Sequence, residues 1–198
     1  EFFGIHLSSE ELSEKLKNYN LQPTSYALYV GALQPRKNLV RLIEAFNVAK
    51  QTIPEMKLVL AGEKAWLPDE IFEAREKSPY KEDIIMTGAV SFENLRALYQ
   101  GARLFVFPSL YEGFGLPILE AFSSHVPVLT ANNSSLLEVG GEAALYCDAV
   151  SVEDVTKKLG QLWSDESLQK ELVQKGHEQL KKFSWDNCTK ETLEYIRS

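Results

Sequence analysis

Two glutamates eight residues apart, Glu112 and Glu120, bracket a glycine pair and a proline in the stretch SLYEGFGLPILEAF, residues 109–122. A carboxylate accepts two hydrogen bonds from a vicinal diol, so one of the pair can hold ribose hydroxyls and the other the hydroxyls of a second sugar. Pro117 suits the first turn of a helix, where its missing N–H would have no partner in any case. Gly113, Phe114, Gly115 and Leu116 then form a loop with outward-facing main-chain N–H groups, and glycine lets a ligand approach that main chain closely. An acid near a helix N-terminus is favourable by itself, by ~0.3–1 kcal/mol, which accounts for Glu120 without any ligand. It explains neither Glu112 nor the glycines.

A second pair of charges lies in GALQPRKN, where Arg36 and Lys37 stand just ahead of Asn38, the expected cap of a helix. Two cations beside a helix N-terminus add to positive charge already there, so they stabilise nothing locally unless an anion joins them. A phosphate or diphosphate is the natural guest; two solvated loop cations are the plain alternative. Gly31 is followed five residues later by Arg36, where GxxxxGK requires glycine. The first turn also lacks GxGxxG, which argues against NAD or FAD.

These residues need a scaffold, and the chain alternates short apolar runs with amphipathic segments. The runs YALYVG (26–31), KLVLAG (57–62), DIIMTG (83–88), RLFVFPS (103–109), VPVLTA (126–131) and AALYC (143–147) read as strands. Between and after them, helices are expected at 38–50, 68–77, 92–101, 116–125, 151–164, 166–182 and 185–197, preceded by an opening helix at 8–19 capped by Ser8 or Ser9. Strands that are apolar nearly throughout indicate a parallel sheet covered on both faces, so the fold class is α/β with a doubly wound, Rossmann-like parallel sheet. Ligands of such folds bind beyond the carboxyl ends of the strands, and the glycines, charges and turn residues of this chain collect in those loops.

Bulk properties narrow the field. At 198 residues the chain is long enough for one well-packed domain, with 44% hydrophobic and 25% charged residues. A net charge of −7 makes nucleic acid a poor partner, since phosphate binding needs clustered Lys and Arg. No apolar run approaches the ~20 residues needed to cross a bilayer, and EFFGIHLSSEEL has no basic segment followed by a long apolar one, so no signal peptide is expected. Cys147 and Cys188 are too few for a disulfide framework and fit a reducing cytoplasm. His6, His125 and His177 lie far apart in sequence and match no ligand spacing, so no metal site is expected. The N-x-[ST] matches at Asn133 and Asn187 are at the level of chance.

The chain resembles the C-terminal half of retaining glycosyltransferases of family 4, which have the GT-B architecture of two Rossmann-like domains facing each other across a cleft. The likeness runs from about Tyr26 to the C-terminus and is most specific in E-x7-E, present as EGFGLPILE. YVGALQPRKNLVRLIEAF, KLVLAG, TGAVSFENLRALYQGARLFVFPS and FSWDNCTKETLEYI support it. It implies that residues 1–25 form an N-terminal linker and helix and 26–182 the nucleotide-sugar-binding domain, with 183–198 a helix, around Trp185, packing toward an N-terminal domain absent here. It implies roles as well: Arg36 and Lys37 neutralise the diphosphate, Glu120 holds the ribose, and Glu112 holds the transferred sugar. Gly113 to Leu116 offer main-chain donors, Gly88, Val90 and Leu95 border the base, and Gly62 at the end of KLVLAG leaves room for the nucleotide beyond Gly31.

The implied donor is a nucleotide diphosphate hexose, with GDP-mannose favoured by the PRKN form of the first loop, and the acceptor a glycan or lipid-linked sugar bound by the other half. No cofactor is implied. Many transferases meet the leaving charge with a metal held by DxD; this chain contains no DxD, and Arg36, Lys37 and a helix N-terminus can stabilise the same charge. The implied location is cytoplasmic, membrane-peripheral at most, since an acidic half offers anionic lipid little attraction. The start at EFFGIH reads as mid-chain, and half a cleft alone is expected to bind donor and transfer little. A non-catalytic nucleotide-sugar-binding module and a GT-B epimerase or phosphorylase remain as alternatives; a flavodoxin-like signalling receiver would need acidic clusters where this chain has RK and GAVS.

Overall fold

The computed structural model describes residues 2–197. Six strands form one parallel sheet: β1 (Tyr26–Val30), β2 (Lys57–Ala61), β3 (Ile84–Gly88), β4 (Leu104–Phe107), β5 (Val128–Ala131) and β6 (Ala144–Cys147). They lie in the order β3-β2-β1-β4-β5-β6, with every neighbouring pair parallel. The central strands are buried along almost their whole length, which explains why they show continuous apolar runs instead of alternation.

The connecting helices are α1 (Ser9–Lys17), α2 (Leu39–Ala49), α3 (Asp69–Lys77), α4 (Phe92–Gly101), α5 (Leu116–Ser123), α6 (Leu136–Gly140), α7 (Val152–Ser164), α8 (Glu166–Leu180) and α9 (Trp185–Arg197). The α2 helix packs against α7 and α3, while α1 packs on α4 and α5 on α8. These are the two faces that right-handed crossovers impose once the strand order runs outward in both directions from β1 and β4. The start of α1 carries a full capping box between Ser8 and Glu11. Its Leu16 is fully buried, and a Cβ on Gly101 would come within 2.6 Å of that leucine, so glycine at the end of α4 permits the close approach. The first helix therefore packs into the same core as the sheet.

Three features depart from the sequence reading. The helix α6, in a stretch to which that reading assigns no element, spans five residues, too few to show a period. Pro35–Lys37 forms a 3-10 turn ahead of α2. The three histidines, distant in sequence, converge: the ring centroids of His6 and His125 are 4.8 Å apart, and those of His125 and His177 are 6.1 Å apart. Cys147 is buried, and burial pushes its thiol up to about 12, out of the nucleophilic range. Among the described residues no helix is long and apolar enough to cross a membrane.

Candidate active site

In a doubly wound sheet the crevice opens where consecutive crossovers leave in opposite directions. Here that point lies between β1 and β4, and the two loops beyond it carry Arg36–Lys37 and Glu112 respectively. The loops are stitched together: the Leu110 N–H donates to the Arg36 carbonyl at 3.0 Å. Lys37 Nζ donates to Glu112 Oε1 at 2.5 Å, and Arg36 Nη1 to Glu112 Oε2 at 2.9 Å and to the Tyr111 carbonyl. Lys37 and Glu112 are each only 8% exposed, whereas Arg36 faces solvent. The Lys37 ammonium also lies 4.9 Å from the ring centroid of buried Phe107 at the end of β4. Burial alone would raise the Glu112 carboxyl, but hydrogen bonds from Lys37 and Arg36 outweigh it and hold the group below the usual carboxylate range.

This geometry corrects one step of the sequence argument. The charge that balances Arg36 and Lys37 comes from within the chain, as Glu112, so the two cations are neither freely solvated nor dependent on an outside anion. Asn38 likewise differs from expectation. It occupies the cap position of α2 in the left-handed conformation, φ 62°, without a side-chain cap bond. Its amide instead donates to the carbonyls of Pro108 (3.1 Å) and Ala149 (2.6 Å), while its oxygen accepts from Arg41 at 2.9 Å. Asn38 thus ties the first loop to the end of β4 and to the segment after β6.

The glycine loop enters α5 as foreseen, with Gly115 at the cap position, φ 130°, and Pro117 in the first turn. Leu116 belongs to the helix, not to the loop. Gly113 and Phe114 are exposed, and a Cβ on Gly113 would meet nothing within 4 Å. Behind the loop stands a brace that sequence reasoning missed. The Ser135 hydroxyl lies 2.9 Å from the Glu112 carbonyl and 2.5 Å from that of Phe114. The Glu112 N–H donates to Ser134 Oγ at 3.1 Å, and Asn133 donates to the Ser109 carbonyl at 3.2 Å. The only available signal was the polar cluster ANNSS immediately after a buried strand.

Glu120 lies beyond the first turn of α5, so the helix-dipole account does not reach it. Its partner is Tyr99 of α4, whose hydroxyl donates to Glu120 Oε2 at 2.8 Å. Burial raises the Glu120 carboxyl above its ordinary value, and the Tyr99 hydrogen bond partly opposes that.

The remaining predicted residues lie along the carboxyl edge of the sheet. Gly31, φ 146°, ends β1, and its N–H donates to the Ala61 carbonyl. A Cβ on Gly62, φ 152°, would lie 2.0 Å from the Gly31 carbonyl oxygen. The room that glycine makes at 62 is thus occupied by the main chain of the first loop and not held open for a ligand. Gly88 is exposed at the end of β3, with Val90 and Leu95 half-buried behind it. Gly88 ends β3, two strands from β1 in the sheet, whereas Val90 follows it in the loop and Leu95 lies in α4. The structure therefore brings Arg36, Lys37 and Glu112 into contact, pairs Glu120 with Tyr99, and sets Gly88, Val90 and Leu95 apart at the sheet edge.

Comparison with known proteins identifies the family. The chain matches the family described as glycosyl transferases group 1 over residues 9–179. It is 40% identical over 190 residues to the O-antigen chain mannosyltransferase B of Escherichia coli, covering 96% of this chain and 50% of that protein. It is also 33% identical over 198 residues to the serotype-specific mannosyltransferase WbdA of Escherichia coli, covering 98% of this chain and 24% of that protein. The chain thus spans about half the length of the first relative and a quarter of the second. Among solved structures, Anabaena Alr3699/HepE in complex with UDP and glucose superposes with a TM-score of 0.86 at 16% identity, over 100% of this chain and 55% of that one. The C-terminal domain of a group 1 glycosyl transferase, LpcC, from Francisella tularensis gives 0.74 at 20% identity, over 89% of this chain and 97% of that one. These superpositions establish the fold as a GT-B-type Rossmann-like domain, and the family match, which covers most of the sequence, places the chain among the group 1 glycosyl transferases.

Proposed function

We propose that this chain is the donor-binding half of a retaining, family 4 glycosyltransferase that moves a hexose from a nucleotide diphosphate sugar to a glycan or lipid-linked acceptor. The observation that carries the reading is the Arg36–Lys37–Glu112 cluster, set at the switch point beside a glycine loop that opens α5. Two cations and the N–H groups of a helix start are suited to the charge that grows on a leaving diphosphate, and each such contact is worth about 2–4 kcal/mol in a transition state. The reaction on this reading uses no metal. As the diphosphate takes Arg36 and Lys37, the Glu112 carboxylate is released toward the hydroxyls of the sugar. Glu120 takes the ribose diol, and Gly88, Val90 and Leu95 line the base. Mannose, as GDP-mannose, is the favoured donor, supported by the mannosyltransferase relatives and by the PRKN form of the loop.

The acceptor site belongs to a half outside these 198 residues. In α9, Trp185, Tyr195 and Ile196 are more than 70% exposed, and we place this face against that half. The protein acts on this reading in the cytoplasm, at most peripheral to a membrane. Calorimetric titration of GDP, UDP and ADP, with and without magnesium, tests the donor site. One nucleotide is expected to bind independently of magnesium and to weaken at least about tenfold in Glu120→Gln. Absence of binding by all three at millimolar concentration overturns the donor site; magnesium-dependent binding overturns the metal-free reaction.

A further inference from the structure

We propose that Tyr99 is a positioning residue for the nucleotide ribose: its hydroxyl fixes the Glu120 carboxylate in the orientation that receives the ribose diol. The proposal rests on the donor-site reading of Glu120. Its basis is a contrast among buried tyrosines. Tyr26 and Tyr29, as deeply buried as Tyr99, donate to main-chain carbonyls, of Leu98 at 2.7 Å and Ala32 at 3.1 Å. That is the least costly way to satisfy a buried phenol. Tyr99 instead donates at 2.8 Å to a carboxylate whose own burial is unfavourable, with a carbonyl, that of Pro117, only at 3.4 Å. Packing alone does not call for a glutamate at that place.

The tyrosine is also held more firmly than a surface hydrogen bond requires. Its ring meets Phe105 of β4 at 5.4 Å between centroids and Phe3 edge-on at 5.3 Å. The neighbouring Gln100 clips the segment that carries Phe3 over the ring: its amide donates to the Phe3 and Ile5 carbonyls at 3.2 and 2.8 Å, and its oxygen accepts from the Leu7 N–H at 3.0 Å. The hydroxyl position is therefore set by α4, β4 and the N-terminal segment together.

From that fixed point the hydroxyl does two things to Glu120. It occupies Oε2, leaving Oε1 without a hydrogen bond from another described residue. It also favours the ionised carboxylate against the burial that raises the group. A diol presents two donors, so the ionised form is the one that receives it. Burial pushes the phenol itself well above its ordinary range, so it stays a donor throughout neutral pH.

The test uses the tightest-binding of GDP, UDP and ADP together with its 2′,3′-dideoxy counterpart, titrated into the wild-type chain and Tyr99→Phe at pH 6 and pH 8. Phenylalanine keeps the ring contacts and removes only the hydroxyl. Tyr99→Phe is expected to weaken the ribose nucleotide roughly tenfold at pH 6 and less at pH 8, and to leave the dideoxy ligand unchanged. The ligand phosphate titrates identically in both proteins and cancels in their ratio. Added to Glu120→Gln, Tyr99→Phe is expected to cost nothing further. Equal weakening of both ligands would mean general loosening and would overturn the proposal, as would an unchanged ribose affinity. If Glu120→Gln separates the two ligands and Tyr99→Phe does not, the Tyr99 assignment falls alone. If the wild type binds both ligands equally, or neither, the ribose role of Glu120 falls with it.

Discussion

Lys37 and Glu112 owe their positions to each other: a nearly buried ammonium needs a counter-charge, and the carboxylate that provides one comes from 75 residues further along the chain. The same carboxylate competes with any phosphate for the two cations. Replacing it should therefore move two observables in opposite directions. Glu112→Gln is expected to strengthen binding of inorganic diphosphate about three- to tenfold by calorimetry, while lowering unfolding free energy by about 1–3 kcal/mol in a denaturant titration. Loss of diphosphate affinity in this variant would show that Glu112 serves to place the cations and does not compete for them. Such long-range pairing was beyond the sequence reading. The residue types of the site were legible in RKN and EGFGLPILE, but spacing along the chain carries no information about which cation meets which acid.

Elements were read more successfully than contacts, for a physical reason. Among the described residues, all six strands and eight of the nine α-helices, α6 being the ninth, are visible in the sequence because burial on both faces of a parallel sheet demands unbroken apolar runs, and surface helices demand a 3.6-residue period. What escaped is short or is held by side chains: the turn Pro35–Lys37, the brace at Asn133 to Ser135, and Asn38, whose amide reaches two other segments in place of capping its own helix. Gly62 is the element-scale case. The glycine itself was noted, but its reason is the crossing of the first and second loops. Gly62→Ala would drive a methyl group into the Gly31 carbonyl and force an L side chain into a positive φ that it rarely adopts. It is expected to destabilise the domain by at least about 2 kcal/mol, read as a lower denaturation midpoint at unchanged m-value. An unaltered midpoint would mean that the two loops separate at little cost.

At the scale of the whole molecule, His6, His125 and His177 join the N-terminal segment, the turn after α5 and α8. Burial, then the neighbouring charges of His6 and His177, hold the His125 imidazole below its ordinary value. The unfolded chain then binds the proton more readily than the folded one, so the contribution is complete above about pH 6.5 and is lost as pH falls below it. The melting temperature should drop on acidification from pH 7.5 to 5.5. His125→Asn, which tolerates the left-handed backbone at φ 58°, should flatten that drop; an unchanged slope would assign it to other groups. Charge also shapes how the molecule meets a ligand from a distance. The Arg36–Lys37–Glu112 cluster is positive by one charge within a chain of net −7. An approaching anion is thus repelled by the body as a whole and attracted only within about a Debye length, ~8 Å at physiological ionic strength, of the crevice. Added salt screens the long-range repulsion during approach and weakens the short-range grip after capture, so association of an anion should quicken while residence shortens, and the ionic medium becomes a control on occupancy separate from the contacts of the site.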